Sequence, residues 1–215
     1  MNPFPVILSA PSGGGKTTIA RELLRRRSDL GYSVSCTTRR PRAGEEHGQD
    51  YYFLSLTEFI EERERNAFAE AAEVHGNLYG TLKSEVKRVL SDGRHVIMDI
   101  DVQGAKQFKR AFPDSVTIFV LPPSAEVLLE RLRARQTEDR KQLIARLQSA
   151  LLELQAIDEY EYVVVNDDLE QAIRTVSSII DAEVVSRDRV AGLRHSVARI
   201  IEKLQSEISN HDAKD

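Results

Sequence analysis

The sequence predicts an α/β fold, a parallel sheet covered by helices on both faces, from three observations. Short apolar, β-branched runs at 6–9, 95–99, 116–121 and 162–165 alternate with segments of helical periodicity. A glycine-rich stretch, Ser9 to Thr18, lies between the first such run and the first helical one. The 215 residues, 41% of them apolar, suffice for one core with insertions. Alternating strands and helices give parallel sheets whose ligands lie at the carboxyl ends of the strands.

The first element is a buried strand over 6–9, and the first helix, about 15–27, carries Ile19, Ala20, Leu23 and Leu24 at helical spacing. Between them Ala10, Pro11, Ser12, Gly13, Gly14, Gly15, Lys16, Thr17 and Thr18 form a phosphate-binding loop. Glycines let successive N–H groups turn toward one anion, and the helix N-terminus adds its unpaired N–H groups. Lys16 supplies a mobile charge for the outer phosphates, and the Thr17 hydroxyl can ligate Mg²⁺. Ala10 stands where the usual pattern has glycine.

A strand is expected at 32–36, followed by a surface loop, 37–50, holding Arg39, Arg40, Pro41 and Arg42. Residues 51–54 read as a strand, and Thr57 as the cap of a charged helix, 58–65. Residues 68–74 alternate weakly and break at Gly76-Asn77; a helix follows at 84–90. This block interrupts the α/β rhythm and looks like an insertion for a second ligand. The rhythm resumes with a strand at 95–99, a helix at 102–110, a strand at 116–121 and a helix capped by Ser124 and running to Arg133. A longer helix carries Leu143, Leu147, Ala150, Leu154 and Ile157 on one stripe. The last strand is 162–165, and Asp168 with Gln171 opens a helix to about 185. Beyond it, Val190, Leu193, Val197, Ile201, Leu204 and Ile208 form another apolar stripe. That stripe either packs on its own core, the preferred reading, or meets another subunit. Residues 210–215 are expected to fray.

A net charge of −4 supplies no basic field for nucleic acid. One cysteine, Cys36, excludes an internal disulfide framework, fits a reducing compartment and reads as packing. No apolar run approaches the ~20 residues of a membrane span, and the N-terminus lacks a signal-peptide pattern, so a cytoplasmic location is expected.

Asp99 and Asp101 end the 95–99 strand, where an acid that orients Mg²⁺ or its waters is usually placed; Asp101 could equally cap the next helix. Arg39 and Arg42 suit bidentate phosphate binding, although read alone a solvated charged loop accounts for them better. Arg131, Arg135 and Arg146 could neutralise a transferring phosphoryl group or simply pair with surface acids. Asn166 and Asp167 follow a buried strand and could contact a base, while Asp168 reads as a cap.

Taken together these residues resemble the guanylate kinase family over nearly the whole chain to about 185. The matching stretches are 9–18, 33–42, 44–52, 76–81, 98–104, 131–146 and 165–169. The resemblance implies a P-loop core (1–34, 93–125 and 156–185), a GMP-binding insertion (35–92) and a helical lid (126–155). A C-terminal extension, 186–209, completes a single domain, 1–209. It implies Mg²⁺-dependent phosphoryl transfer from ATP to GMP, and to dGMP, in purine nucleotide metabolism. On the matching positions, Ser35, Arg39, Arg42, Tyr51 and Tyr79 would hold the GMP phosphate, and Glu70 and Thr81 would read the guanine. Asp99 and Asp101 would line the GMP and Mg²⁺ side, with Lys16 and Thr17 serving ATP and Mg²⁺. Arg135 and Arg146 would close from the lid, and Asn166 and Asp167 would lie by the adenine. Gln136 departs from the usual lid turn, and the segment beyond 185 lies outside the resemblance. The rival readings are a non-catalytic phosphopeptide-binding module of the same shape and a kinase for another nucleoside monophosphate. The intact phosphate loop speaks against the first.

Overall fold

The computed structural model describes residues 2–74, 76–133 and 140–212. Its organising layer is a five-stranded sheet of β1 (Pro5–Ser9), β2 (Leu30–Tyr32), β7 (His95–Asp99), β8 (Val116–Leu121) and β9 (Tyr162–Val165), in the order β2-β7-β1-β8-β9. Every pair is parallel. β1 is central and buried at all five residues, which is why it reads as a continuous apolar run and not as an alternation.

Helices close both faces. α1 (Lys16–Arg26) and α7 (Leu169–Val184) bury Ile19, Leu23, Ile173 and Val176 on one side with Val6, Leu8 and Ile118. α3 (Lys83–Ser91) and α4 (Val102–Ala111) bury Val86, Val89, Ala105 and Phe108 on the other with Ile7 and Met98. Asp168 caps α7, accepting from the Gln171 amide at 2.7 Å. Ser124 accepts from the Val127 amide at 3.3 Å, at the start of α5 (Ala125–Arg133). α5 packs on α6 (Arg140–Gln155) through Leu128, Leu132, Ala150 and Leu147.

The interrupting block builds a second sheet, in the order β4-β3-β6-β5, from β3 (Cys36–Thr37), β4 (Tyr52–Phe53), β5 (Phe68–Val74) and β6 (Asn77–Leu82). α2 (Leu56–Glu64) covers it through Phe59, which stacks on Phe68 at 4.4 Å. Cys36 is buried there, and burial pushes its thiol up to about 12, the behaviour of a packing residue.

Four sequence expectations change. The single strand at 32–36 is two, β2 in the parallel sheet and β3 in the second one, because Ser33–Ser35 cross between layers. The break at Gly76-Asn77 leads not to a helix but to a second strand: β6 begins at Asn77 and pairs antiparallel with β5, and α3 begins directly after it. The cap of α2 is Ser55, not Thr57; Ser55 Oγ accepts from the Glu58 amide at 3.2 Å, and the Glu58 carboxylate accepts from the Ser55 amide at 2.7 Å. The C-terminal stripe forms α8 (Leu193–Asp212), but α8 does not pack on the core: residues 194–209 are all exposed. The preferred reading of that stripe is therefore wrong for this chain. The helix also continues into the stretch expected to fray, and 213–215 lie outside the described residues.

Candidate active site

The loop after β1 is shaped by what its glycines allow. Gly13 and Gly15 have φ of +84° and +97°, and the Gly14 amide donates to Pro11 O at 2.7 Å. A Cβ on Gly14 would come within 2.7 Å of the Ala10 Cβ. This explains Ala10: its methyl, fully buried, takes the space that Gly14 leaves empty. Gly15 is the N-cap of α1 and has no side chain to spend on the first turn, so those N–H groups remain available to an anion. Ser9 Oγ donates to Ile100 O at 2.9 Å and ties the start of the loop to the exit of β7.

Two distant side chains hold this loop, and a third bonds one of them. Asn166, buried at the end of β9, donates its amide to Gly14 O at 2.9 Å. A Cβ on Gly15 would lie 2.4 Å from that same nitrogen. From α6, Glu153 accepts from the Ser12 amide at 2.9 Å; burial pushes its carboxyl above the usual range. Arg131 of α5 donates to Asn166 O at 3.3 Å. A cleft of 470 Å³ opens here, lined by Gly13–Thr18, Arg131, Asn166 and Asp167.

A second cleft, of 760 Å³, lies between the two sheets. Arg39, Arg42, Tyr51 and Tyr79 line one end. The Arg39 guanidinium is held by Glu45 at 2.8 and 3.0 Å and sits 5.5 Å from the Tyr51 ring centre. Tyr51 and Tyr79 meet edge to face at 6.0 Å. Toward the other end a register shift between Phe68 and Glu70 sets Glu70 opposite Thr81. The Thr81 hydroxyl donates to Glu70 Oε1 at 2.7 Å, and Ser35 Oγ lies 3.5 Å from the same hydroxyl. Gln107 of α4 bonds both backbone groups of Ala71, at 3.1 and 3.2 Å, and so anchors β5 beside Glu70. Glu70 is 8% exposed; burial, and secondarily Asp101, raises its pKa above the ordinary carboxylate value.

Thr17 lines both clefts. Its hydroxyl donates to Asp99 Oδ2 at 2.6 Å, so the phosphate loop and the carboxyl end of β7 meet there. Asp101 does two things: it caps α4, accepting from the Gly104 amide at 2.7 Å, and it lines the larger cleft. Among the described residues no three His, Cys, Asp or Glu side chains group as a metal cage. A hydroxyl beside one carboxylate instead fits a hard cation that keeps most of its waters and takes phosphate oxygens, as Mg²⁺ does.

The family model described as "Guanylate kinase" matches residues 2–183. The chain belongs to the guanylate kinase family. It is similar to the guanylate kinase of Thermotoga maritima, 46% identical over 177 residues, covering 82% of this chain and 86% of the relative. It is also similar to that of Myxococcus xanthus, 47% identical over 186 residues, covering 86% and 89%. The crystal structure of guanylate kinase from Anaplasma phagocytophilum superposes with a TM-score of 0.71 at 35% identity, covering 90% of this chain and 92% of that one.

On this guanylate kinase fold, the structure brings most of the sequence-selected residues into the two clefts. Lys16, Thr17, Thr18 and the glycines meet Asn166 and Asp167 in the smaller one. Ser35, Arg39, Arg42, Tyr51, Glu70, Tyr79, Asp99 and Asp101 line the larger, with Thr81 behind Glu70. Asn166 spends its amide on the loop, so it braces the phosphate site as well as bordering the cleft. Arg146 lies on α6 and lines neither cleft. Arg135 and Gln136 lie outside the described residues. Sequence reading missed Glu153 and Gln107. Each falls on an ordinary helix, and nothing in their spacing signals a backbone partner on another element.

Proposed function

We propose that this chain transfers the γ-phosphoryl group of ATP to GMP, giving ADP and GDP. The observation that carries this reading is Thr17, which joins a phosphate-loop cleft to a second, arginine- and tyrosine-lined cleft with a buried carboxylate at its far side. Two adjoining anion sites suit a reaction between two nucleotides.

In this reading the loop amides and Lys16 hold the ATP phosphates, with Asn166 and Asp167 toward the adenine. Arg39, Arg42, Ser35, Tyr51 and Tyr79 hold the acceptor phosphate. Glu70, supported by Thr81, accepts from guanine N1–H and N2–H, which adenine does not present together. A phosphate oxygen of GMP attacks Pγ as the bond from Pγ to the β,γ-bridging oxygen breaks, and that electron pair leaves with ADP. The nucleophile is already largely ionised near neutral pH, so the protein's task is positioning and charge stabilisation. Thr17, with Asp99 beside it, would hold Mg²⁺, which when bound neutralises charge on the β- and γ-phosphates. Arg146, with Arg135, would reach the transferring group when the α5–α6 arm swings over the loop and excludes water. The proposed contacts grip the phosphate and the base and leave the ribose 2′ position unread, so dGMP is a second acceptor. The product serves purine nucleotide metabolism.

A coupled assay of ADP release with GMP, dGMP, AMP, UMP and CMP tests the reading. Guanine monophosphates should be used far faster than the others. Best activity on another base would overturn the specificity. Binding of phosphorylated peptide without ADP release would point to the non-catalytic module.

A further inference from the structure

The family match ends at residue 183, and α8 begins ten residues later. Val197, Ile200, Ile201, Leu204 and Ile208 on α8 are 43–61% exposed. A single amphipathic helix of this kind is marginal in water unless its apolar face is covered. An exposed apolar row on a helix about 30 Å long marks an association surface.

We infer that α8 pairs antiparallel with α8 of a second copy of this chain. Two features select that occupant. The first is the spacing of the apolar row, which reads the same in both directions about the Ile200–Ile201 pair. In an antiparallel pair centred there, Leu193 falls level with the partner's Ile208, Val197 with the partner's Leu204, and Ile200 with the partner's Ile201. Each layer is apolar on both sides, so a self-complementary two-fold interface closes without a polar gap. The second is charge. The N-terminal half of α8, 193–200, carries Arg194 and Arg199 and no acid, whereas 201–208 carries Glu202 and Glu207 with one Lys203. Antiparallel pairing sets unlike halves together and opposes the helix dipoles; parallel pairing sets like halves together. Because α8 lies beyond the family match and contributes nothing to either cleft, this interface is independent of the catalytic reading.

Sedimentation equilibrium of the full chain at micromolar concentrations should give twice the chain mass. Ile201→Asp, and separately Leu204→Asp, should return the monomer without changing the melting of the α/β core. An equal mixture of Val197→Cys and Leu204→Cys chains should form a mixed disulfide dimer on mild oxidation, while each variant alone should not. The one native thiol, Cys36, is buried and stays out of the reaction. A monomer at these concentrations, or a dimer indifferent to both aspartates, would overturn the inference. So would Val197→Cys dimers forming alone, which report parallel helices. A chain that is monomeric but sediments with anionic vesicles would assign the stripe to a membrane surface instead.

Discussion

Replacing Glu70 with glutamine separates binding chemistry from folding. Glu70 is buried on β5 of the second sheet, with Oε1 accepting from the Thr81 hydroxyl at 2.7 Å. Glutamine keeps the volume and can still accept from Thr81. It turns one acceptor into an NH₂ donor, which would face a guanine N–H. One hydrogen bond to a charged group, about 1.5–3 kcal/mol, is lost, and a donor is left facing a donor. With the loss set at about 3 kcal/mol, GMP binding weakens about a hundredfold, at about 1.4 kcal/mol per decade. Stability moves the other way. Burial raises the folded pKa of Glu70 above its ordinary value of 4.5. A group shifted in this direction favours folding fully below its unfolded pKa, and that contribution is lost as pH rises through the folded pKa. Above the raised pKa the ionised carboxyl is a burden that Glu70→Gln removes, so the variant should melt no lower than the parent. If Glu70 reads the guanine as proposed, recognition needs its carboxylate, so parent GMP affinity should fall as pH drops toward the raised pKa, and the variant should lack that component. The phosphate of GMP also titrates, near ~6, but it does so against both proteins and cancels in the comparison. Calorimetric titration of GMP at neutral and acidic pH, with thermal melts, reads all three. Unchanged GMP affinity at neutral pH would refute the base-reading role, and a large loss of melting temperature would refute the burial argument.

Lys16→Ala should lower turnover about 10²–10³-fold, the scale of losing one pre-organised donor, as read in the ADP-release assay; unchanged turnover would remove Lys16 from the site. Gly15→Ala puts a Cβ 2.4 Å from Asn166 Nδ2 at a φ of +97°. Strain of about 1–2 kcal/mol, plus about 1–3 kcal/mol if the Asn166 bond to Gly14 O is broken, should appear in urea melts, with weaker ATP binding. Excess chelator should abolish ADP release, and added Mg²⁺ should restore it; a full rate in chelator would set aside the role given to Thr17 and Asp99.

The sequence determined by itself whatever depends on neighbours along the chain. β5, β7, β8 and β9 run where the apolar patterns place them: β7 and β8 are buried along nearly their whole length, β9 buries Val164 between exposed Val163 and Val165, and β5 is buried over its first three residues. The phosphate loop was legible because strand, glycines, Lys16 and helix are contiguous. Asp168 and Ser124 were legible because a cap acts within one turn. The second sheet was not: β3 is two residues long, and only pairing with β6 and β4 makes it a strand. Most clefts' residues were named from the family resemblance, whose motifs lie in order along the chain. Their meeting at Thr17 and Asp99, 82 residues apart, is a tertiary fact. So are the bonds from Glu153 to Ser12 and from Asn166 to Gly14, which span 141 and 152 residues. An isolated Glu or Asn carries no mark of a backbone partner so far away. α8 shows both sides of this division. Its apolar stripe follows from periodicity alone, whereas its standing clear of the core is a tertiary fact: the sheet face beside α1 is taken by α7, which buries Ile173, Val176 and Ile180 there, and residues 194–209 are left exposed.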